Sequence, residues 1–364
     1  MIPQVAFAHA QLIQSGPPPD AIMAALPPGV ELLFNESVSP AGAGIKVFSP
    51  SGRQIAGRSV SRGALLYAPM ASDETGTFVV SWQVLAADTH PSRGAFRFSV
   101  GRPSANPYSS LLTGGEIGTA SPLGFVLQAL ARWVHFVGFA LVFGVVGYLA
   151  LTRDKQRNPH LVKRLVGTGI VLLIAAEPLA LLGQLASLSI DTDTAIAVLA
   201  SGFGRLLALR LAGALLVWAL WSVESTWPIL GVGVAVALVD GASAHAIPGL
   251  PVAGLLLVAT HVAAMGLWVG GLAAFLIVPD RRFGRYAALC FAVAAISGLL
   301  LAVAHIGLLQ ALMSTAYGQA LMIKVLVVGA VLAVALIRRR RLEFGVLLTA
   351  IAAAAVLAAL PPPR

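Results

Sequence analysis

The chain has 364 residues, of which 58% are hydrophobic and 11% charged. Soluble domains usually carry about 25% charged residues, so the composition excludes an ordinary soluble protein for most of the chain. The net charge of +9 falls in short loops between apolar runs, a pattern typical of membrane orientation signals and not of nucleic-acid binding. Cys290 is the single cysteine, which excludes an intramolecular disulfide.

The first residues contain part of a secretory signal. Ala6-Phe7-Ala8 fits the small-residue cleavage site of a leader, although the basic and long apolar parts that normally precede it are missing. We therefore expect residues 1–8 to be residual leader. Cleavage after Ala8 would make His9 the amino terminus.

Residues 9–101 predict a small all-β domain. Four segments have the alternation or the β-branched and aromatic content of strands, and turns with Gly and Pro separate them. These segments are 30–34, 45–48, 76–84 and 94–100. Strands at this spacing predict an immunoglobulin-like sandwich of about seven strands.

The remainder predicts a helical membrane domain. Residues 102–122 are rich in Pro, Ser, Asn and Gly and are expected to form a linker, and 123–364 consist of apolar runs broken by short polar loops. Most runs reach the roughly 20 residues that a spanning helix needs, and the fourth is the shortest. The eight expected helices are 123–151, 162–187, 203–222, 227–244, 252–278, 284–309, 319–337 and 343–360.

Basic loops predict the orientation of this domain. Arginine and lysine cluster after the first, fifth and seventh segments, which assigns these alternate loops to the cytoplasm. Eight spans then put the β-domain and the C terminus together on the outer side of the membrane. The basic residues are Arg153, Lys155, Arg157, Lys163, Arg164, Arg281, Arg282, Arg285 and Arg338 to Arg341.

Three residues of the β-domain are candidate metal ligands. Asp88 and His90 are two residues apart between predicted strands, so in an extended chain their side chains face the same way. With the imidazole and free amine of His9 they form a nitrogen and oxygen donor set that suits Cu(II). The alternative is that Asp88 and His90 are an ordinary polar pair in a loop.

The β-domain also carries a set of motifs along its whole length. They are His9-Ala10, Ser15-x-Pro17, Leu33-Phe34-x-Glu36, Gly76-x-Phe78-x-Val80-x-Trp82, Asp88-x-His90-Pro91 and Gly94-x-x-x-Phe98-x-Val100. As a set they resemble the periplasmic copper-binding family CopC. The resemblance implies that His9, Asp88 and His90 hold Cu(II).

Four histidines lie in or beside the membrane segments, and they are His135, His245, His261 and His305. Met265 shares a helix face with His261, and Met313 follows the sixth segment. Ionisable residues inside membranes mark functional sites, and imidazole and thioether groups suit copper. We predict one copper pocket near the periplasmic face, with His135 as a deeper ligand. The alternative is that isolated histidines hydrogen-bond between helices.

The membrane region resembles a second family. Its motifs are Arg132-Trp133-x-His135, Ser243-x-His245-Ala246, His261-x₆-Trp268-x-Gly270-Gly271, Ser297-Gly298, Tyr317-Gly318-x-x-Leu321-x-x-Lys324 and a final helix from Glu343 to Pro361. They resemble the CopD membrane proteins over residues 123–364. Fusion of CopC to CopD is a known arrangement, and the resemblance implies copper movement across the inner membrane, usually described as uptake.

Other charged residues within the membrane segments have two interpretations each. Glu177 and Arg210 would lie in the same half of the membrane, where they could pair with each other or handle ions. Lys324 would extend its amine toward the membrane surface, and Asp240 would either join the metal site or cap its helix.

Together these features predict copper acquisition and transport, with Cu(II) captured by the β-domain and passed to the softer membrane ligands, where Cu(I) is favoured after a reduction step. Periplasmic copper chaperones are expected partners, with copper ions and the lipid bilayer. We find no reductase motif and no nucleotide-binding loop, so neither an enzyme nor an ATP-driven pump is predicted. The alternatives are a b-type haem electron-transfer protein that uses His135 with His261 or His305, and a copper-sequestering resistance protein without transport.

Overall fold

The computed structural model describes residues 10–86, 91–113, 121–151, 158–223, 225–244, 247, 250–306 and 310–360. The chain divides into two units. The first combines residues up to 125 with 183–205 and contains the β-domain, and the second contains 126–182 and 206–364.

The β-domain has eight strands in the described part of the chain. Four of them, β3, β4, β7 and β8, contain the four segments predicted as strands. The strands are β1 (Leu12–Gly16), β2 (Ile22–Met23), β3 (Gly29–Phe34), β4 (Val38–Phe48), β5 (Val60–Arg62), β6 (Leu65–Pro69), β7 (Gly76–Ala86) and β8 (Pro91–Val100).

These strands form two four-stranded sheets, in the orders β1-β3-β6-β5 and β2-β8-β7-β4. Buried apolar residues from both sheets form one core, where Phe34 of the first sheet meets Trp82 of the second edge-on with ring centroids 5.2 Å apart. The alternating burial along β3 follows from the two-residue period of a strand that has one face on this core. The predicted sandwich is confirmed.

Part of the expected linker packs against the sandwich. The side-chain amide of Asn106 is buried and donates to the carbonyl oxygens of Ser49 and Thr77, at 2.9 Å each. Tyr108 stacks on Phe48 with ring centroids 3.9 Å apart. Residues around Asn106 therefore extend the β-domain, because a composition rich in Pro and Ser indicates irregular backbone and not an absence of contacts.

Within the described residues, the membrane region consists of helices joined by short turns. A π-helical turn (Ala140–Gly144) joins α1 and α2 into one continuous span. The helices are α1 (Pro122–Phe139), α2 (Val145–Leu151), α3 (Pro159–Ser187), α4 (Thr192–Ala200), α5 (Gly202–Ser222), α6 (Thr226–Ala242), α7 (Pro251–Phe275), α8 (Phe283–His305), α9 (Ala311–Ser314), α10 (Ala316–Leu336) and α11 (Arg340–Ala359).

The number of spans agrees approximately with the eight predicted. Within the described residues, seven helical spans are long and apolar enough to cross a membrane, and α6 is a shorter apolar helix of 17 residues. At about 1.5 Å per residue α6 is roughly 26 Å long, slightly less than a hydrocarbon core of about 30 Å. It corresponds to the fourth predicted segment, which is also the shortest in the sequence.

Glycines let the first span approach α7 closely. A Cβ atom on Gly144 would lie 2.1 Å from the carbonyl oxygen of Gly266, and one on Gly270 would lie 1.9 Å from the carbonyl oxygen of Ala140. No larger residue fits at these crossings, as expected where membrane helices pack through small residues. The contact coincides with the π-helical turn and fixes the segment that follows His135.

The short helix α4 packs on strand β4 within the first unit. Asp191 caps α4 by accepting from the amide of Thr194 at 2.8 Å. Gly42 has a φ of +56°, and a Cβ atom there would lie 2.6 Å from the Thr194 hydroxyl. Glycine at position 42 therefore provides both the left-handed backbone and the space for α4.

Candidate metal sites

Four of the predicted ligands, His9, Asp88, His90 and His245, lie outside the described residues. Asp88 and His90 fall between β7 and β8, which pair without interruption from Gly76–Val100 to Leu85–Pro91. Both ends of the segment that contains these two residues are therefore held by a regular antiparallel ladder.

His135 belongs to a buried polar network between helices. Its Nε2 donates to a carboxylate oxygen of Asp240 at 3.0 Å, and both residues are at most 5% exposed. Arg210 also binds Asp240, at 2.9 Å, and donates to the Ser243 hydroxyl at 2.6 Å. Asp240 thus orients the imidazole, and the arginine neutralises this carboxylate in a region where an isolated charge is costly.

The other nitrogen of His135 faces Glu177. The distance from Nδ1 to Oε1 of Glu177 is 3.5 Å, too long for a good hydrogen bond. Nδ1 of His135 and Oε2 of Glu177 are buried and have no hydrogen-bond partner among the described residues. The suggested pair of Glu177 with Arg210 is replaced by two other contacts, because Asp240 on α6 lies closer to the arginine and Glu177 turns toward the histidine.

His261 on α7 is fixed by the backbone of α8. Its Nδ1 lies 2.9 Å from the carbonyl oxygen of Ala294 and 3.2 Å from the Ser297 hydroxyl. A carbonyl only accepts, so Nδ1 carries the proton and the lone pair of the neutral ring is on Nε2. A Cβ atom on Gly298 would lie 2.9 Å from Cε1 of His261, so this glycine allows the ring to rest on α8.

The Nε2 atom of His261 faces the amine of Lys324 on α10, at 3.4 Å. The sequence suggested that Lys324 extends to the membrane surface, but its amine instead contacts this imidazole. Among the described residues no carboxylate lies within ion-pairing distance of Lys324.

His305, the last residue of α8, has the same kind of anchor. Its Nδ1 donates to the carbonyl oxygen of Leu301 at 2.9 Å, and its buried Nε2 has no hydrogen-bond partner in the described part of the chain. The ring centroids of His305 and Tyr317 are 6.2 Å apart. Of the predicted methionines, Met265 packs partly buried against the membrane core and Met313 in α9 is 69% exposed.

Contacts between α7, α8 and α10 define three levels. The first contains His305 and Tyr317, the second contains His261, Gly298 and Lys324, and the third contains Trp268 and Phe291, whose ring centroids are 5.3 Å apart. On each helix the successive residues are seven apart, which is about two turns or 10 Å. Met265 falls one turn from His261 on the way to Trp268.

The spacing of these levels can be compared with the prediction of a single copper pocket. Among the described residues no group of three or more His, Cys, Asp or Glu side chains is close enough to share a metal ion. His305 and His261 belong to levels about 10 Å apart along α8. The geometry therefore favours successive sites for these two imidazoles over one shared ion.

Two carboxylates outside the membrane-spanning segments have lowered pKa values. The Arg53 guanidinium, 2.7 Å from Glu74, lowers the pKa of Glu74 from its ordinary 4.5 to about 2. Hydrogen bonds from the Ser189 hydroxyl and the Thr194 amide lower the pKa of Asp191. Both groups stabilise surface turns by local contacts and do not belong to a candidate metal site.

Sequence reasoning did not identify the partners of the histidines. The Ala294 carbonyl carries no side-chain signal, and Asp240 and Lys324 stood as isolated charges because their neighbours come from distant segments. The repeated seven-residue spacing of His261 with Trp268, and of Tyr317 with Lys324, was visible but gave no information on which helices are neighbours.

Two family models match the chain: the CopC domain over residues 12–101 and Copper resistance protein D over residues 280–359. The copper transport protein CutJ of Bacillus subtilis (strain 168) is 25% identical over 430 residues, which cover 100% of this chain and 76% of CutJ. The chain belongs to the CopC–CopD fusion proteins. This is a family of copper transport and copper resistance proteins, and the chain is a multi-pass membrane member of it.

Relatives of the CopC part are also found separately. Copper resistance protein C of Xanthomonas campestris pv. juglandis is 32% identical over 105 residues, which cover 26% of this chain and 82% of that protein. The crystal structure of CopC from Methylosinus trichosporium OB3b is 25% identical, covers 27% of this chain and 98% of its own, and gives a TM-score of 0.25. In this CopC–CopD fusion the CopC match lies on the β-domain, and the CopD match begins just before α8.

Proposed function

We propose that this chain captures Cu(II) in its β-domain and moves copper through its helical domain across the bacterial inner membrane. His9, Asp88 and His90 would hold the ion outside the membrane, and His245, His305 and Met313 would receive it. His261 with Met265 would form the next site, and His135 would be a further ligand. The relative CutJ, which is named a copper transport protein and is matched over 100% of this chain and 76% of its own length, supports a role in copper transport.

The observation that carries the proposal is shared by three membrane histidines. In His261 and His305 Nδ1 donates to a backbone carbonyl oxygen, which leaves the lone pair of the neutral ring on Nε2, and in His135 Nε2 donates to Asp240 while Nδ1 faces Glu177. Metal-binding histidines are commonly oriented in this way by a carboxylate or a carbonyl. The buried Nε2 of His305 has no hydrogen-bond partner among the described residues, and such an atom is costly in a membrane unless it binds a ligand.

The three levels support an order for these proposed sites. Copper at His305 would be about 10 Å from His261, and Met265 would provide a thioether one turn further along α7. Imidazole and thioether donors suit Cu(I), so Cu(II) from the β-domain would need one electron from a reductant outside the chain. Beyond Met265, the packed Trp268 and Phe291 rings would separate this path from the far side of the bundle.

His135 offers a different donor set. Its Nδ1 and the carboxylate of Glu177 are buried and adjacent, and Asp240 and Arg210 hold the imidazole from the other side. A nitrogen and an oxygen donor are less selective for Cu(I) than a thioether. We propose this pair as an additional site that binds Cu(I) more weakly than the site at His261 and Met265.

Copper flux into sealed proteoliposomes tests the proposal. The intact chain should accumulate copper, His261→Ala should lose most of the flux, and His90→Ala should lose flux at low copper concentration only. His160→Ala is the matched control, since His160 is exposed and lies outside the proposed path.

Normal copper flux in His261→Ala would show that the proposed membrane site at His261 is wrong. Copper binding without flux would indicate a sequestering protein, and a Soret absorption band in the purified chain would favour haem binding at the same histidines.

A further inference from the structure

We propose that the amine of Lys324 is a resident cation of the His261 site, which occupies the metal-accepting nitrogen and lowers the affinity of this site for copper. The inference rests on the proposed function, because it requires a metal to reach His261. It assigns to Lys324 a role in release of the metal, and Lys324 itself is not a ligand in this proposal.

The lone pair of His261 points toward Lys324. Nδ1 is occupied by the carbonyl oxygen of Ala294, so only Nε2 can accept a metal ion. The amine of Lys324 lies 3.4 Å from this same atom. Lysine therefore stands where copper would have to bind.

The amine of Lys324 has no better partner among the described residues. No carboxylate in this part of the chain lies within 4 Å of Lys324, and the amine lies 3.4 Å from the imidazole of His261. Lys324 is eight residues into α10, about 12 Å from the start of the helix. A cationic amine at that depth is costly unless it has an acceptor, and the imidazole is the acceptor available.

Binding of copper to His261 would displace the amine of Lys324. One lone pair cannot serve two cations, so the ammonium must leave Nε2, which its flexible four-carbon stem permits. The displaced charge stays close to the bound ion and repels it in a medium of low dielectric constant. After the metal moves on, the amine can return to Nε2, which disfavours rebinding of copper to His261.

Cu(I) binding to the full-length purified chain tests this role. Affinity and stoichiometry are measured by competition with a Cu(I)-specific chromophoric chelator. Lys324→Leu removes the charge without adding a copper ligand, and we expect it to raise the apparent affinity of one Cu(I) equivalent by about tenfold or more. Lys324→Arg keeps the charge and should stay close to the wild-type affinity.

A double-mutant cycle tests whether Lys324 acts on copper binding through His261. In a His261→Ala background, Lys324→Leu should leave Cu(I) affinity unchanged. An unchanged affinity in Lys324→Leu, together with a lost equivalent in His261→Ala, would overturn the role of Lys324 and leave the copper site intact. If His261→Ala loses no equivalent, both the site and the resident cation are wrong. Lys324→Gln gives the same comparison if size-exclusion chromatography shows that the leucine variant does not fold.

Discussion

Single residues determine whether a histidine in this membrane domain can bind a metal. His135, His261 and His305 are each anchored through one nitrogen, but the anchors differ: a carboxylate for the first and backbone carbonyls for the other two. The carboxylate anchor is the only one of the three that a side-chain substitution can remove without altering the helix. It therefore gives the most direct test of the network.

Asp240→Asn should destabilise the membrane domain by about 3 kcal/mol, because it leaves the partly buried guanidinium of Arg210 without a counter-charge. The measurement is the free energy of unfolding in mixed micelles, followed by tryptophan fluorescence during titration with a denaturing detergent. The double variant Asp240→Asn with Arg210→Met should recover most of the loss. A double variant as unstable as Asp240→Asn alone would contradict the assigned pair.

The Arg53–Glu74 ion pair should make the stability of the β-domain depend on pH. The pKa of Glu74 falls from 4.5 to about 2 on folding, so the pair stabilises the folded state above pH 4.5 and loses this effect as the pH falls toward 2. Arg53→Met should therefore lower the thermal unfolding temperature of the full chain at pH 7 and have little effect near pH 2. In a Glu74→Gln background the arginine substitution should be silent at both pH values, and a persistent difference there would refute the pair.

At the scale of helices and strands, the sequence predicted the elements well and their contacts poorly. The spacing of apolar residues and the lengths of the apolar segments were enough to predict the helices and the strands β3, β4, β7 and β8, because each of these elements depends on a local sequence pattern. The partners of His261 are separated from it by 33 to 63 residues, and no local pattern reports which helices are neighbours. No local pattern indicated that α7 packs on the first span through Gly144, Gly266 and Gly270.

Gly298→Ala tests the contact of α7 with α8. The added Cβ atom would lie 2.9 Å from the His261 ring, so the ring must shift away from Ala294 and its Nε2 must turn. We expect a loss of about one Cu(I) equivalent in chelator competition with the purified chain. Gly284→Ala on the same helix is the matched control, because nothing lies within 4 Å of a Cβ atom at that position. Equal binding by the two variants would show that the ring does not depend on Gly298.

Gly42→Ala tests the packing of α4 on β4. Both Gly42 and Gly63 have positive φ angles, +56° and +60°, but only the Cβ atom at Gly42 meets another side chain, the Thr194 hydroxyl at 2.6 Å. Alanine at either position should therefore destabilise the protein by roughly 1–2 kcal/mol, because a residue with a Cβ atom is strained in the left-handed conformation. Gly42→Ala should destabilise it further, because its Cβ atom also meets Thr194. Limited proteolysis between α3 and α5 should accelerate in Gly42→Ala alone, and similar rates in both variants would show that α4 does not depend on this contact.

For the whole molecule, the number of spans decides on which side each loop lies. If α6 crosses the membrane, the chain has eight spans and the loops that contain Arg281 and Arg339 share the cytoplasmic side, as the basic residues require. If its 17 residues do not cross, Arg281 would move to the side of the β-domain while the helices from α7 onward would all be inverted. The bonds of Asp240, near the end of α6, to His135 and Arg210 fix that end of the helix within the bundle and favour a crossing.

Accessibility of introduced cysteines distinguishes these arrangements. In a Cys290→Ala background, single cysteines at the exposed positions Ser109, Arg281, Ser314 and Arg339 are treated in spheroplasts with a membrane-impermeant maleimide. Eight spans predict labelling at Ser109 and Ser314, and protection of Arg281 and Arg339 until the membrane is permeabilised. Labelling of Arg281 together with Ser109, and protection of Ser314, would mean that α6 does not cross. The β-domain would then face the opposite side of the membrane from His305, and direct delivery of copper from one to the other would be ruled out.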